Sequence, residues 1–181
     1  AQYQEIRRKY KDGILFFQVG DFYETFYDDA RKVSAILNIA LTSRDKKNPI
    51  PLAGVPIHAA DAYVARLLKH GEKVIICEQI ENPSEAKGIV RREVTDIITP
   101  GTSLSPATLD EKENNYILSM LREGDRCGMA LIDVSTGEFA VAEEPVDAAG
   151  NLLAGFRITE ALLPAGSDDL HAVARQGNPL V

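Results

Sequence analysis

Apolar positions along the chain recur in two periods. Over residues 2–11, Tyr3, Ile6 and Tyr10 fall at helical spacing, and Asp12-Gly13 ends the run. Residues 14–19 form a short apolar and aromatic run that predicts a buried strand, broken by Gly20-Asp21. Helical spacing returns over residues 22–37, where Tyr23, Phe26, Tyr27, Ala30, Val33 and Leu37 fall near one face. Residues 38–42 are a further candidate strand. Residues 50–55 are apolar, but Pro49, Pro51, Gly54 and Pro56 mark them as an edge strand or an irregular turn. A helix follows over 59–70, with Gly71 at its C-terminal stop. Strands are predicted over 73–80 and 93–99.

The style changes after a stretch rich in Pro, Gly, Ser and Thr at residues 100–110. Three short strands over 115–121, 128–134 and 138–142, separated by Glu123-Gly124-Asp125 and Ser135-Thr136-Gly137, predict an antiparallel meander. A helix is expected over 147–158, and Ala161-Leu162-Leu163 is a further candidate strand. The division reads as a first unit at 1–101, a linker at 102–112 and a second unit at 113–181. The predicted fold class is α/β, opening with a mixed sheet flanked by helices.

Charge sharpens that division. The 181 residues carry a formal net charge of -7, which by itself argues against a nucleic-acid partner. Residues 1–101 hold 15 basic and 14 acidic side chains, a balance of +1, and residues 102–181 hold 5 basic and 13 acidic, a balance of −8. No apolar stretch approaches the roughly 20 residues that span a bilayer, and residues 1–10 do not read as a signal peptide, so no membrane partner is expected. Cys77 and Cys127 are far apart, and Cys77 lies in an apolar run. A buried free thiol and a reducing, cytoplasmic setting are the expectation.

The most informative stretch runs from Phe16 to Glu24. A strand delivers the chain to Gly20, where the backbone can turn sharply or approach another surface closely. Read from pattern alone, Asp21 caps the helix that follows, Glu24 completes a variant capping box, and Phe22 is a core aromatic. The same residues, in the string GDFYETFYDDA, resemble the mismatch-binding signature of the MutS family of DNA mismatch repair proteins. The resemblance continues through Leu41-Thr42-Ser43-Arg44, the string from Ile50 to Ala59, Cys77-Glu78-Gln79, Ala86-Lys87-Gly88, Thr99-Pro100-Gly101-Thr102 and the string from Asp133 to Phe139. It covers residues 1–145 closely, the rest more loosely, and is strongest to bacterial members.

That resemblance implies a mismatch-recognition domain followed by part of a connector domain with a truncated ribonuclease H-like fold. It implies that Phe22 wedges into the minor groove and stacks on a mispaired base, and that Glu24 hydrogen-bonds that base, with Gly20 allowing close backbone approach. Arg44, Leu52 and Lys87 become further candidate DNA contacts. Mismatched duplex DNA is then the expected partner. A C-terminal ATPase using ATP and magnesium, homodimerisation and recruitment of downstream repair proteins are expected of a longer parent, of which this chain reads as an N-terminal fragment. The chain itself shows no phosphate loop, no nucleophile elbow and no metal-ligand spacing, so no catalysis and no cofactor are expected of it.

The remaining basic residues Lys46, Lys47, Arg91 and Arg92 read either as phosphate contacts or as a solvated surface. Tyr23 reads as core, and His58, His70 and His171 read as packing or capping residues. Two other functions stay open. Asp133, ending a strand before a hairpin and Glu138, could open the metal site of a ribonuclease H-like nuclease, with Glu160 or Asp168 as partners. The acidic second half could serve as a protein-interaction fragment.

Overall fold

The computed structural model describes residues 2–43, 45, 47, 49–81, 88–105 and 114–176. Arg44, Lys46 and Lys87, and most of the linker expected at 102–112, lie outside them. The chain divides into two compact units, Ala1–Thr99 and Pro100–Val181.

The first unit contains helix α1 (Gln2–Lys9), strands β1 (Ile14–Val19) and β2 (Phe22–Phe26), helix α2 (Tyr27–Leu37) and strands β3 (Thr42–Ser43) and β4 (Pro51–Pro56). A 3-10 turn at Ile57–Ala59 leads into helix α3 (Ala60–Lys69), followed by β5 (Val74–Gln79) and β6 (Arg92–Ile98). The strands form one sheet in the order β3-β4-β2-β1-β5-β6. β1 and β5 run parallel and the other neighbours antiparallel, so the sheet is mixed.

Strand alternation sorts side chains onto two faces. On one, Ile14, Phe16, Tyr23, Val55, Val74 and Ile76 pack with Val33 and Leu37 of α2 and Val64 and Leu67 of α3. On the other, Leu15, Phe17, Ile75 and Cys77 pack with Tyr3 and Ile6 of α1, and with Phe26 and Val94. Buried Asp29 of α2 fastens α1 to this unit. Its carboxylate accepts hydrogen bonds from the Leu15 amide at 3.2 Å, the Tyr3 hydroxyl at 3.3 Å and Arg7 at 3.2 Å.

One element differs from the sequence expectation in a way that matters. Residues 22–26 are a strand, not the first turns of a helix, and α2 begins only at Tyr27. Asp21 is therefore not an N-cap, and no capping box forms with Glu24. The cap position belongs to Phe26, which makes no side-chain capping bond. Period two wins because Tyr23 and Thr25 are buried on one face while Phe22 and Glu24 turn to the other. Aromatic residues and threonine suit such a half-buried pleated surface. Phe26 and Tyr27 fit both periods, which is why a helical pattern extends too far back. β4 is shielded from the sheet edge only by the two residues of β3, close to the edge position its prolines suggested.

The second unit opens with the antiparallel meander β7 (Tyr116–Glu123), β8 (Arg126–Asp133) and β9 (Glu138–Pro145). Helix α4 (Val146–Leu153) is shorter than the expected 147–158. Strand β10 (Ile158–Leu162) then lies parallel to β7, and α5 (Asp168–Ala174) follows. Strand order is β10-β7-β8-β9. Tyr116, Leu118, Met129 and Leu131 pack with Leu153 of α4 and Leu170 of α5.

Candidate nucleic-acid interface

β1 and β2 form a hairpin with a two-residue loop, since Val19 pairs directly with Phe22 across Gly20 and Asp21. Gly20 has φ +60° and Asp21 is not in the left-handed region. That matches a type II′ turn, which takes glycine at its first central position and fits the twist of paired strands. A Cβ on Gly20 would meet nothing within 4 Å, so the requirement for glycine there is conformational. The Asp21 carbonyl accepts a hydrogen bond from the Ile57 amide at 2.9 Å, which ties the turn to the end of β4.

This hairpin places Phe22 beside its own tip with the ring 47% exposed. An aromatic side chain in a strand is ordinarily a burial device. Here its neighbour Tyr23 takes the core position, its hydroxyl donating to Glu78 at 2.8 Å. Burial and the Glu78 carboxylate both raise the Tyr23 pKa. Glu24 is half-buried and shares Phe22's face. Its cross-strand partners are Phe17 on β1 and Gly54 on β4. A Cβ on Gly54 would lie 3.4 Å from the Tyr23 carbonyl, 3.6 Å from Glu24 and 3.9 Å from Phe22, in ordinary van der Waals contact with all three.

The structure thus brings Gly20, Phe22 and Glu24 together at one end of one sheet face. Leu52 lies on the same face, opposite Phe26 and Thr42, and is only 8% exposed. Arg92 opens β6, with its guanidinium 4.8 Å from the Phe17 ring centroid, while exposed Arg91 pairs with Glu93. Sequence reasoning missed Gln18 and gave Gly54 no part beyond breaking a strand. Their significance lies in cross-strand register, which no local pattern carries. Phe22 is not in the walls of the three grooves that lie along α1 and around Asp12 and Lys73. One of them, of about 480 Å³, lies between α1 and β6, with Gln2, Ile6, Arg91 and Arg92 in its walls. The hairpin presents an exposed aromatic side chain with a half-buried carboxylate two residues behind it.

Asp133 does not have the geometry of a metal ligand. It is fully buried, and its carboxylate accepts hydrogen bonds from the amides of Asn115 at 3.0 Å, Ser135 at 2.9 Å and Thr136 at 3.3 Å, and from the Ser135 hydroxyl at 2.6 Å. Burial pushes its pKa up, but the bonds from Ser135, Asn115 and Thr136 outweigh it and leave the pKa below the ordinary value. Glu160 accepts from the Gly101 amide and Glu138 from the Tyr116 hydroxyl. Among the described residues, no group of three His, Cys, Asp or Glu side chains could hold a metal, and the nuclease reading is not supported.

Comparison with known proteins bears on the family. The family model described as MutS domain I matches residues 1–107, and that described as MutS domain II matches residues 115–178. A DNA mismatch repair protein MutS from Methanothrix thermoacetophila is 52% identical over 91% of this chain and 20% of its own length. Proteins of the same name are 48% identical in Chlorobium limicola, over 98% of the chain and 21% of their own, and 55% in Halothermothrix orenii, over 78% and 16%. The chain spans about a fifth of the length of such relatives.

Proposed function

The chain belongs to the MutS family, whose domain I and domain II models it matches in order, and from that premise we propose that it recognises mismatched or unpaired bases in duplex DNA for repair. The observation that carries this reading is the Phe22 ring, held 47% exposed at the tip of a hairpin with Glu24 two residues behind it. Entering from the minor groove, an apolar wedge unstacks a base step and kinks the duplex. A mispaired step has already lost pairing energy and opens at lower cost than a matched one. Discrimination then comes from deformability. Stacking of a base on an aromatic ring is worth about 1–3 kcal/mol and tolerates every base, which suits a site that meets many mismatches.

Glu24 supplies the second element. A carboxylate facing phosphates is repelled, so it penalises approach to matched duplex, and a hydrogen bond to the displaced base offsets that penalty at a mismatch. Gly20 lets the backbone pass close to the groove. Arg44 and Lys87 are proposed as phosphate contacts. Leu52 reaches DNA only if the β3–β4 edge shifts from the arrangement seen here.

A homodimeric state, recruitment of later repair proteins, a cytoplasmic location, and ATP with magnesium belong in this proposal to a longer protein, on the scale of the relatives. ATP and magnesium do not fit the residues present. The chain has no G-x-x-x-x-G-K-[ST] loop, and its described residues hold no metal cluster. Among them, no helix is long and apolar enough to cross a membrane.

The test is competition between mismatched and matched duplexes for the full-length protein and its variants. Phe22→Ala should abolish the preference, and a preference retained at the parent level removes the central claim. Glu24→Gln keeps the hydrogen bond but loses the charge, and should strengthen binding to matched duplex. If it leaves binding to both duplexes unchanged, the role assigned to the charge is wrong.

A further inference from the structure

We infer that Arg92 is a positioning residue of the mismatch site, holding the hairpin that carries Phe22 and Glu24, and is not a phosphate contact. This rests on the mismatch-binding reading. As one of three basic residues near a strand, Arg92 reads in sequence either as a phosphate contact or as part of a solvated surface. In the structure Nε and Nη1 are already engaged by the protein. Nε donates to the Gln18 carbonyl at 2.6 Å, and Nη1 donates to the Val90 carbonyl at 2.8 Å and to the Gln2 side chain at 3.4 Å. The guanidinium carbon lies over the Phe17 ring, 4.8 Å from its centroid.

These contacts converge on the strand behind the wedge. Phe17, Gln18 and Val19 are the cross-strand partners of Glu24, Tyr23 and Phe22. The Gln18 side chain extends the network to the turn. Its amide donates to the Gly20 carbonyl at 3.3 Å, and its oxygen accepts from the Gln79 amide at 2.7 Å. A continuous set of bonds therefore runs from β6 through Arg92 and Gln18 to the glycine that sets the hairpin. Burial lowers the Arg92 pKa, while Cys77 and Glu24 raise it, so its charge also bears on the Glu24 carboxylate. The guanidinium holds its donors in a fixed planar fork that reaches two carbonyls beside a ring, a geometry that the point-like ammonium of lysine does not reproduce.

The experiment compares Arg92→Lys, Arg92→Gln, Glu24→Gln and the Arg92→Gln/Glu24→Gln pair in the full-length protein. Each is titrated with a duplex bearing a single G·T mismatch and its matched counterpart across a range of salt. A positioning role predicts that both Arg92 substitutions lower the mismatched-to-matched affinity ratio about five- to tenfold. The salt slope on matched duplex should be unchanged, and the effect of Arg92→Gln should shrink in the Glu24→Gln background. A ratio at the parent level with a salt slope reduced by about one is the signature of a lost phosphate contact and overturns the inference. Strict additivity of Arg92→Gln and Glu24→Gln also overturns it. Phe22→Ala run alongside separates the two levels. If Phe22→Ala keeps the preference, the mismatch reading itself fails. If Phe22→Ala loses it while the Arg92 variants behave as the parent, only this inference fails.

Discussion

The β8–β9 hairpin of the second unit folds in on its own carboxylate. Asp133 is buried at its base, four hydrogen bonds reach its oxygens from Asn115, Ser135 and Thr136, and Glu138 across the ladder accepts from Tyr116. The β1–β2 hairpin of the first unit turns outward. Its loop is shorter, its carboxylate Glu24 is half-buried beside an arginine-capped aromatic, and its largest apolar side chain near the tip, Phe22, is exposed. Both hairpins place a carboxylate within a few residues of a glycine with positive φ. One spends its polar groups on its own loop, and the other leaves an aromatic ring for something else to cover. A carboxylate at a strand end whose oxygens are filled by its own loop, as those of Asp133 are, is a structural group.

The largest expected effect breaks the closed hairpin. Asp133→Ala strands the buried Asn115 amide and removes the partner of the Ser135 and Thr136 amides, and should cost the second unit about 3 kcal/mol, read by chemical denaturation, with mismatch preference unaltered. A cost below about 0.5 kcal/mol, typical of an inconsequential surface site, would falsify the account of that loop. The same carboxylate sets a pH dependence. Its pKa is depressed in the folded state, so its stabilisation is present above the unfolded value near 3.8 and is lost as pH falls through the lower folded value. Asp133→Asn should remove that acid limb from the stability profile.

Next in size is the open hairpin. Phe22→Ala should cost about 1–3 kcal/mol of mismatch discrimination while its thermal midpoint stays close to the parent's, because the ring is already half in water. A large drop in midpoint would recast Phe22 as a packing residue. Gly20→Ala should cost about 1 kcal/mol, from left-handed backbone strain alone, with no clash to relieve by repacking. An unchanged unfolding free energy would mean that the turn does not hold this conformation.

The smallest effect is one on which the two units agree. Cys77 and Cys127 are both buried. Burial pushes the Cys77 thiol up to about 11, with Arg92 pulling the other way. Neither thiol should react with maleimide at neutral pH until the chain unfolds, and rapid labelling of native protein would contradict the packing of either sheet.

Much of the fold was legible because local pattern and tertiary outcome coincide. β1, β5 and the meander are apolar runs bounded by turn residues, and α3 carries its own C-terminal glycine. The failure at residues 22–26 has a physical cause. FYETF satisfies a helical period with the residues after it and a strand period by itself, and pairing with β1 and β4 decides between them. The proposed site was legible only by resemblance. Phe22 and Glu24 looked like a core aromatic and a capping residue, and nothing local separates those roles from a wedge and its flanking carboxylate.

By itself, the sequence determined the two-unit division, the concentration of negative charge beyond residue 101, most strand positions and, through shared motifs, the family. Those properties depend on residue type and spacing along the chain. Only the tertiary structure decided that Phe22 faces solvent, that Arg92 is engaged by the protein, that Gly54 lies beneath the site and that Asp133 is already satisfied. Each of these depends on strand register, which brings together residues far apart in the chain and assigns each side chain to one face or the other.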